Sequence, residues 1–163
     1  MYRTSQLLSA VAVAACAALQ PTLAHATSRC DVTFSINTAA SGVLSHVEIQ
    51  ADYSGSSGTF EGSGNAVGCV ALTSDTSQIY RDTCGPSDNY CYAGGGRTLL
   101  AILSRSAGFD GVVPIVSCTF VAPAGQTPTA ESFAVTVRGA TTLGGDDAST
   151  LPSAEISGIQ CGE

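Results

Sequence analysis

The chain has 163 residues and a formal net charge of −7, with six basic side chains against thirteen acidic ones. It lacks the cationic surface that displaces counterions from phosphates, so its charge argues against a nucleic-acid partner. Low charge, 18 glycines, and scattered Val and Ile among Ser and Thr are typical of an extracellular all-β domain.

The N-terminal segment 1–26 has the three-part layout of a secretory signal. Arg3 supplies the charge, an apolar stretch runs from Leu7 to Leu19, and Ala24-His25-Ala26 gives the small-x-small cleavage pattern. The alternative is a membrane anchor, but the stretch is shorter than the roughly 20 residues that span a bilayer. We therefore expect cleavage after Ala26, one domain over 27–163, and no membrane span in that domain.

A lipoprotein signal is the main rival interpretation of this segment. Val13-Ala14-Ala15-Cys16 has the small-residue spacing before Cys that such signals use. The apolar stretch nevertheless continues past Cys16 to a well-formed Ala-x-Ala pattern. The sequence favours a secreted protein, extracellular or periplasmic, with a lipoprotein anchored through Cys16 as the alternative.

Alternation of period two, the pattern of a strand with one face in a core, recurs along the rest of the chain. The candidate strands, in chain order, are 31–37, 46–53, 59–72, 99–103, 115–121, 132–138 and 154–161. Residues 99–103 are apolar on both parities, which predicts a central strand covered on both faces. The stretch 59–72 is a weaker candidate that its glycines divide.

Gly-, Ser- and Asp-rich turns separate these segments, as at 54–58 and 144–147. Many short strands with such turns predict one β-sandwich of eight or nine strands. The predicted inward-facing residues are Val32, Phe34, Ile36, Val47, Ile49, Ala51, Leu99, Ala101, Cys118, Phe120, Phe133 and Val135.

The cysteines predict disulfides, because removing Cys16 with the signal leaves an even number in an exported chain. Turn-forming residues between Cys84 and Cys91 predict that these two pair. Cys69 and Cys118 are then expected to join neighbouring strands or the two sheets, which leaves Cys30 with Cys161. That last pair requires the two ends of the domain to lie together. No two cysteines have the close spacing of a zinc or redox site.

The order of the segments resembles that of cohesin-like domains of bacterial extracellular proteins. The segments that carry the resemblance are Cys30–Phe34, Val47–Tyr53 with Phe60, Leu99–Ser104 with Cys118–Val121, and Phe133–Val137 with the acidic turn after it. The likeness covers most of the domain and rests on hydrophobic patterns. It implies a jelly-roll β-sandwich that recognises another protein through a sheet face.

In that family the implied partners are dockerin modules. This chain departs from the pattern, since it has no tandem copy, dockerin-like segment or catalytic module, and it carries the inserted segment Cys84–Cys91. No binding residues are transferred from the family. On this chain, the polar side chains Glu48, Gln50 and Asp52 are predicted to form the rim of a protein-docking face.

Catalytic signatures are sparse, and the sequence predicts a non-catalytic binding module without a cofactor. A Ser–His–Asp site would have to use His46, on the polar face of a predicted strand. No serine has the nucleophile-elbow pattern, and the glycine-rich stretches lack the Lys of a phosphate-binding loop. A small secreted hydrolase that uses carboxylates or His46 remains an alternative.

Three tyrosines and a pair of aspartates are candidate ligand-binding residues. Tyr80, Tyr90 and Tyr92 surround the inserted cysteine loop and could stack on a sugar, as in a carbohydrate-binding module for a cell-surface polysaccharide. Their other interpretation is a cluster that orders that loop. Asp146 and Asp147 could supply oxygens to calcium, although paired Asp in a Gly-rich turn is more often solvated.

Overall fold

The structure is a computed structural model that describes residues 27–62, 64–82 and 97–162. Within these residues the chain forms nine strands and one short 3-10 helix, Ala130–Ser132. The strands are β1 (Ser28–Asn37), β2 (Leu44–Asp52), β3 (Thr59–Phe60), β4 (Cys69–Ala71), β5 (Thr76–Asp82), β6 (Thr98–Phe109), β7 (Val112–Ala122), β8 (Ala134–Thr142) and β9 (Ser153–Gly162). The predicted signal segment lies outside the described residues.

The strands form two antiparallel sheets. The five-stranded sheet has the order β3-β7-β1-β9, with β4 also paired to β7, and the four-stranded sheet has the order β5-β6-β2-β8. Their apolar inner faces pack against each other as a sandwich. The predicted fold class, a disulfide-stabilised all-β sandwich of eight or nine strands, is confirmed.

The period-two pattern places the core as predicted. Along β2, Val47, Ile49 and Ala51 are buried, whereas the polar residues between them are half-buried on the other face. All of the predicted inward residues are buried except Val135, which is half-buried and packs against the core. Val135 lies on β8, at the edge of its sheet, where neighbouring side chains cover it from one side only.

The prediction that 99–103 is covered on both faces is wrong. Leu99, Ala101 and Leu103 are buried, but Leu100 and Ile102 on the opposite face are only half-buried. The physical reason is that a sandwich has two layers, so each sheet has one inner face. Leu100 and Ile102 therefore lie on the outer face of the sheet, although they are apolar.

An aromatic cluster fills one end of the core. The rings of Phe60 and Phe120 meet edge to face with centroids 5.1 Å apart, and Tyr53 and Phe133 pack on the same pair. Edge-to-face contacts at this separation add about 0.5–1.5 kcal/mol each beyond the burial of apolar area. This cluster joins the two sheets, because Tyr53 follows β2 and Phe120 lies on β7.

A buried polar pair lies beside the cluster. The Tyr53 hydroxyl lies 2.8 Å from each oxygen of the Asp82 carboxylate, and Asp82 is 2% exposed. Burial, followed by the neighbouring Asp82 carboxylate, raises the pKa of Tyr53, so the phenol stays protonated and donates. A buried carboxylate needs such donors to offset its desolvation.

We expect Tyr53→Phe to lower the free energy of unfolding by about 1–3 kcal/mol, because the buried carboxylate loses a donor. Tyr80→Phe is the matched control. The Tyr80 hydroxyl donates to Oε1 of the exposed Gln78, so we expect the change to cost less than about 1 kcal/mol. Urea denaturation of both variants measures the difference, and equal losses would contradict a special role for the Asp82 contact.

Two disulfides tie neighbouring antiparallel strands. Cys30 on β1 bonds Cys161 on β9, and Cys69 on β4 bonds Cys118 on β7. Both pairings match the sequence prediction, and the ends of the domain do lie together. The predicted pair Cys84–Cys91 lies outside the described residues, as does Cys16.

The described residues contain no helix that is long and apolar enough to cross a bilayer.

Candidate functional site

The outer face of the four-stranded sheet is apolar over the edge strand β5 and its neighbour β6. We call Ile79, Leu100 and Ile102 the outer strip. Ile79 on β5 lies directly opposite Ile102 on β6, and Leu100 is two residues along β6 on the same face. Ile79 is 59% exposed, and the other two side chains are half-buried. The strip thus offers apolar side chains to a ligand on the outer face of the sheet.

Polar side chains border the strip on β2, in line with the sequence prediction. The β2–β6 register places Glu48 opposite Ile102 and Gln50 opposite Leu100, and Asp52 continues the same face. Arg138 on β8 donates a 2.6 Å hydrogen bond to Oε1 of Gln50. The Ser54 backbone N–H donates to Asp52 and lowers the pKa of that carboxyl, which keeps it charged. The predicted rim is therefore assembled on one face.

The outer face of the other sheet differs in character. Asp31 and Thr33 on β1 lie opposite Thr119 and Ser117 on β7, and Thr119 donates a 3.1 Å hydrogen bond to Asp31. The middle of this face, between β1 and β7, is therefore hydrophilic, and its exposed apolar residue Val70 lies on the edge strand β4, opposite Ser117. The four-stranded sheet instead carries three neighbouring apolar side chains on β5 and β6. This asymmetry distinguishes the two faces as candidate interaction surfaces.

A polar depression of about 440 Å³ lies at one end of the outer strip. Its lining residues are Ser45, His46, Asp75, Ser77, Ser104, Arg105 and Ser106. His46 and Ser104 face each other in the β2–β6 register, with His46 Nδ1 2.8 Å from Ser104 Oγ. His46 is the base that the sequence offers for a hydrolase, and its contact with Ser104 follows from the register of β2 and β6.

A bulge in β6 builds one wall of the depression. The register slips between the pairs His46–Ser104 and Leu44–Phe109, so extra residues of β6 project there. Arg105 closes the bulge by donating to the Gly108 carbonyl at 2.9 Å. Gly108 has a φ of +78°, and an added Cβ would lie 2.5 Å from Val43 Cγ1, so this position requires glycine.

The His46–Ser104 pair has the separation of a base and a nucleophile, but the described residues show no third member of a triad. Among the residues described, no carboxylate forms a hydrogen bond with the His46 ring. A triad needs such a group to orient the imidazole and stabilise its charge. The described arrangement is therefore a hydroxyl and an imidazole within hydrogen-bond distance of each other.

The aromatic residues predicted to stack on sugars are not displayed on the described surface. Tyr80 is 8% exposed, and burial raises its pKa to about 12. It lies on the inner face of β5, which removes its ring as a stacking platform. Tyr90 and Tyr92 lie outside the described residues. Every Phe and Tyr that the structure describes is buried.

The calcium candidates Asp146 and Asp147 are exposed in the turn after β8. The Asp146 carbonyl accepts the Thr142 N–H, so the backbone of this turn is held within the chain. In the described parts of the chain, no group of three or more His, Cys, Asp or Glu side chains could hold a metal ion.

Comparisons with known proteins give no match to a family model, to a curated protein or to a solved structure. The cohesin-like resemblance remains a prediction from the sequence.

Proposed function

We propose that this chain is a secreted, non-catalytic binding module that docks another extracellular protein on the outer face of its four-stranded sheet. The outer strip is the observation that supports the proposal most strongly. The two disulfides are compatible with an oxidising extracellular location. The predicted secretory signal and the cohesin-like order of segments support the same proposal from the sequence.

The outer strip and its rim have the composition of a protein–protein interface. In protein–protein interfaces, most of the binding energy comes from a few well-packed side chains, and a polar rim around them excludes water. Full burial of one Ile side chain contributes about 1.5–3 kcal/mol. A partner that covered Ile79 could gain more than half of that free energy, because 59% of the residue is exposed.

A protein partner fits this face better than a polysaccharide does. Sugars usually bind by stacking on aromatic rings, and the part of the chain that the structure describes displays none. The rim carries both signs of charge, with Glu48 and Asp52 on β2 and Arg138 on β8. We infer a partner with an apolar centre and a mixed polar border.

The test compares two exposed aliphatic residues on different surfaces. Ile79 is 59% exposed on the outer strip, and Val112 is 68% exposed at the start of β7 in the other sheet. Immobilised wild type should capture a specific protein from the native secretome. We expect Ile79→Ser to weaken capture about tenfold or more and Val112→Ser to leave it unchanged.

Two outcomes would contradict the proposal. Capture that Val112→Ser weakens as much as Ile79→Ser would place the interaction elsewhere. Hydrolysis of a glycoside, ester or peptide substrate that disappears in His46→Ala would favour the hydrolase alternative and the polar depression as its site.

A further inference from the structure

The polar depression is built on a row of residues that crosses three strands. His46 on β2 lies opposite Ser104 on β6, and Ser104 lies opposite Ser77 on β5. Side chains alternate along a strand, so these three share the outer face with Ile102 and Ile79, two residues away on β6 and β5. The outer face therefore changes from apolar to polar over one step of the ladder.

Arg105 brings a positive charge to the depression without a carboxylate partner among the described residues. Its Nη1 donates to the Gly108 carbonyl at 2.9 Å. Its Nε is buried and has no acceptor in the described parts of the chain. A buried donor without an acceptor is uncommon in folded proteins and calls for a partner. The guanidinium is therefore under-bonded by the residues that surround it in the structure.

An arginine of this kind suits a carboxylate ligand. Two parallel N–H···O bonds match the planar guanidinium to the two oxygens of a carboxylate. The depression is also lined by hydroxyls that both donate and accept, those of Ser45, Ser77, Ser104 and Ser106. Its volume of about 440 Å³ is within the range of about 300–1,000 Å³ that small-molecule sites occupy. This chemistry fits a small acid that carries hydroxyl groups.

Asp75 limits the charge of such a ligand. Its side chain also lines the depression, and the residue is exposed in the turn before β5, with a φ of +56°. A nearby like charge opposes an anion, and the opposition grows with the number of charges that the anion carries. A ligand with one negative charge therefore fits the depression better than a doubly charged phosphate does.

We propose that the polar depression binds a small, singly charged carboxylate that also bears hydroxyl groups, the chemistry of a sugar acid. Arg105 binds the carboxylate, and the serine hydroxyls bind the hydroxyl groups of the ligand. Such a ligand needs no aromatic ring to stack on, because its charge supplies the anchor. The depression lies at the Thr76 end of β5, away from Asp82, where the described chain breaks off.

Titration of the ¹⁵N-labelled, disulfide-bonded protein with glucuronate, up to about 50 mM, tests the proposal. We expect saturable shifts of the amide signals of His46, Ser104 and Arg105. Glucuronamide is the matched control ligand, because it replaces the carboxylate by a neutral amide of the same shape. It should bind at least about tenfold more weakly than glucuronate. Inorganic phosphate should also bind more weakly, because Asp75 opposes its second charge.

Three variants assign the binding to named side chains. Arg105→Lys keeps the charge and a donor for the Gly108 carbonyl but loses the planar fork, so it should weaken glucuronate binding about tenfold. Arg29→Lys makes the same change on β1 of the other sheet and should bind like the wild type. Asp75→Asn removes the opposing charge and tolerates the positive φ, so it should tighten binding about twofold or more.

Several results would overturn the proposal. They are the absence of shifts with glucuronate over the whole range, equal binding of glucuronate and glucuronamide, and equal binding by Arg105→Lys and Arg29→Lys. Tighter binding of phosphate than of glucuronate would overturn the assignment to a carboxylate. Unchanged or weaker binding by Asp75→Asn would overturn the role given to Asp75, and this variant does not depend on the fold of the β6 bulge. The inference does not rest on the proposed function, since it requires neither the outer strip nor a protein partner.

Discussion

Phe120→Ala is expected to lower the free energy of unfolding by about 3–5 kcal/mol. The Phe120 side chain is 0% exposed and lies at the centre of the aromatic cluster. Its ring centroid is 5.1 Å from that of Phe60, 5.2 Å from that of Phe133 and 6.0 Å from that of Tyr53. Truncation would leave a cavity between two hydrogen-bonded sheets, which cannot close around it without breaking their ladders.

Guanidinium denaturation followed by circular dichroism measures this change. Against a total stability of about 5–15 kcal/mol, a loss of this size would leave the domain marginal. Val112→Ala is the control, because Val112 is 68% exposed and its truncation should change stability by less than about 0.5 kcal/mol. A loss below about 1 kcal/mol for Phe120→Ala would show that the cluster is not the centre of the core.

The second large effect is expected from removing the disulfide that joins the first and last strands. Cys30 and Cys161 are 131 residues apart in sequence, so the bond constrains nearly the whole unfolded domain. Chain-entropy reasoning gives a contribution of about 4–5 kcal/mol for a loop of this length. We expect the double variant Cys30→Ala with Cys161→Ala to lose about that much free energy of unfolding.

The other disulfide is the matched control for this experiment. Cys69 and Cys118 are only 49 residues apart, so their removal should cost about 1 kcal/mol less on the same reasoning. Chemical denaturation of both double variants, with the remaining disulfide intact, measures the difference. A larger loss for the Cys69–Cys118 variant would show that local packing around the buried Cys118 outweighs loop length.

The sequence predicts the parts of the fold that depend on local alternation. Val47, Ile49 and Ala51 fall on one parity, and a strand of period two must place them on one face. The same alternation assigns Glu48, Gln50 and Asp52 to the opposite face, where the structure has them. The Cys30–Cys161 pair could be predicted because few cysteines remained after the closer pairs were assigned.

The parts that depend on pairing between distant strands could not be predicted. The sequence does not predict β5 as a strand. Its two apolar residues, Ile79 and Tyr80, are adjacent, so they do not alternate with polar residues, and the rest of the strand is polar. Without β5, neither the outer strip nor the inward direction of Tyr80 could be seen. The contact between His46 and Ser104 likewise depends on the register of β2 and β6, which local patterns do not encode.

The most direct test of the docking face is to map the captured partner onto the ¹⁵N-labelled protein by amide chemical shifts. We expect the partner to shift the amide signals of Gln50, Ile79, Leu100 and Ile102, all on the outer face of the four-stranded sheet. The signals of Asp31 and Thr119, on the outer face of the other sheet, should stay in place. Shifts confined to Asp31, Thr119 and their neighbours would contradict the account.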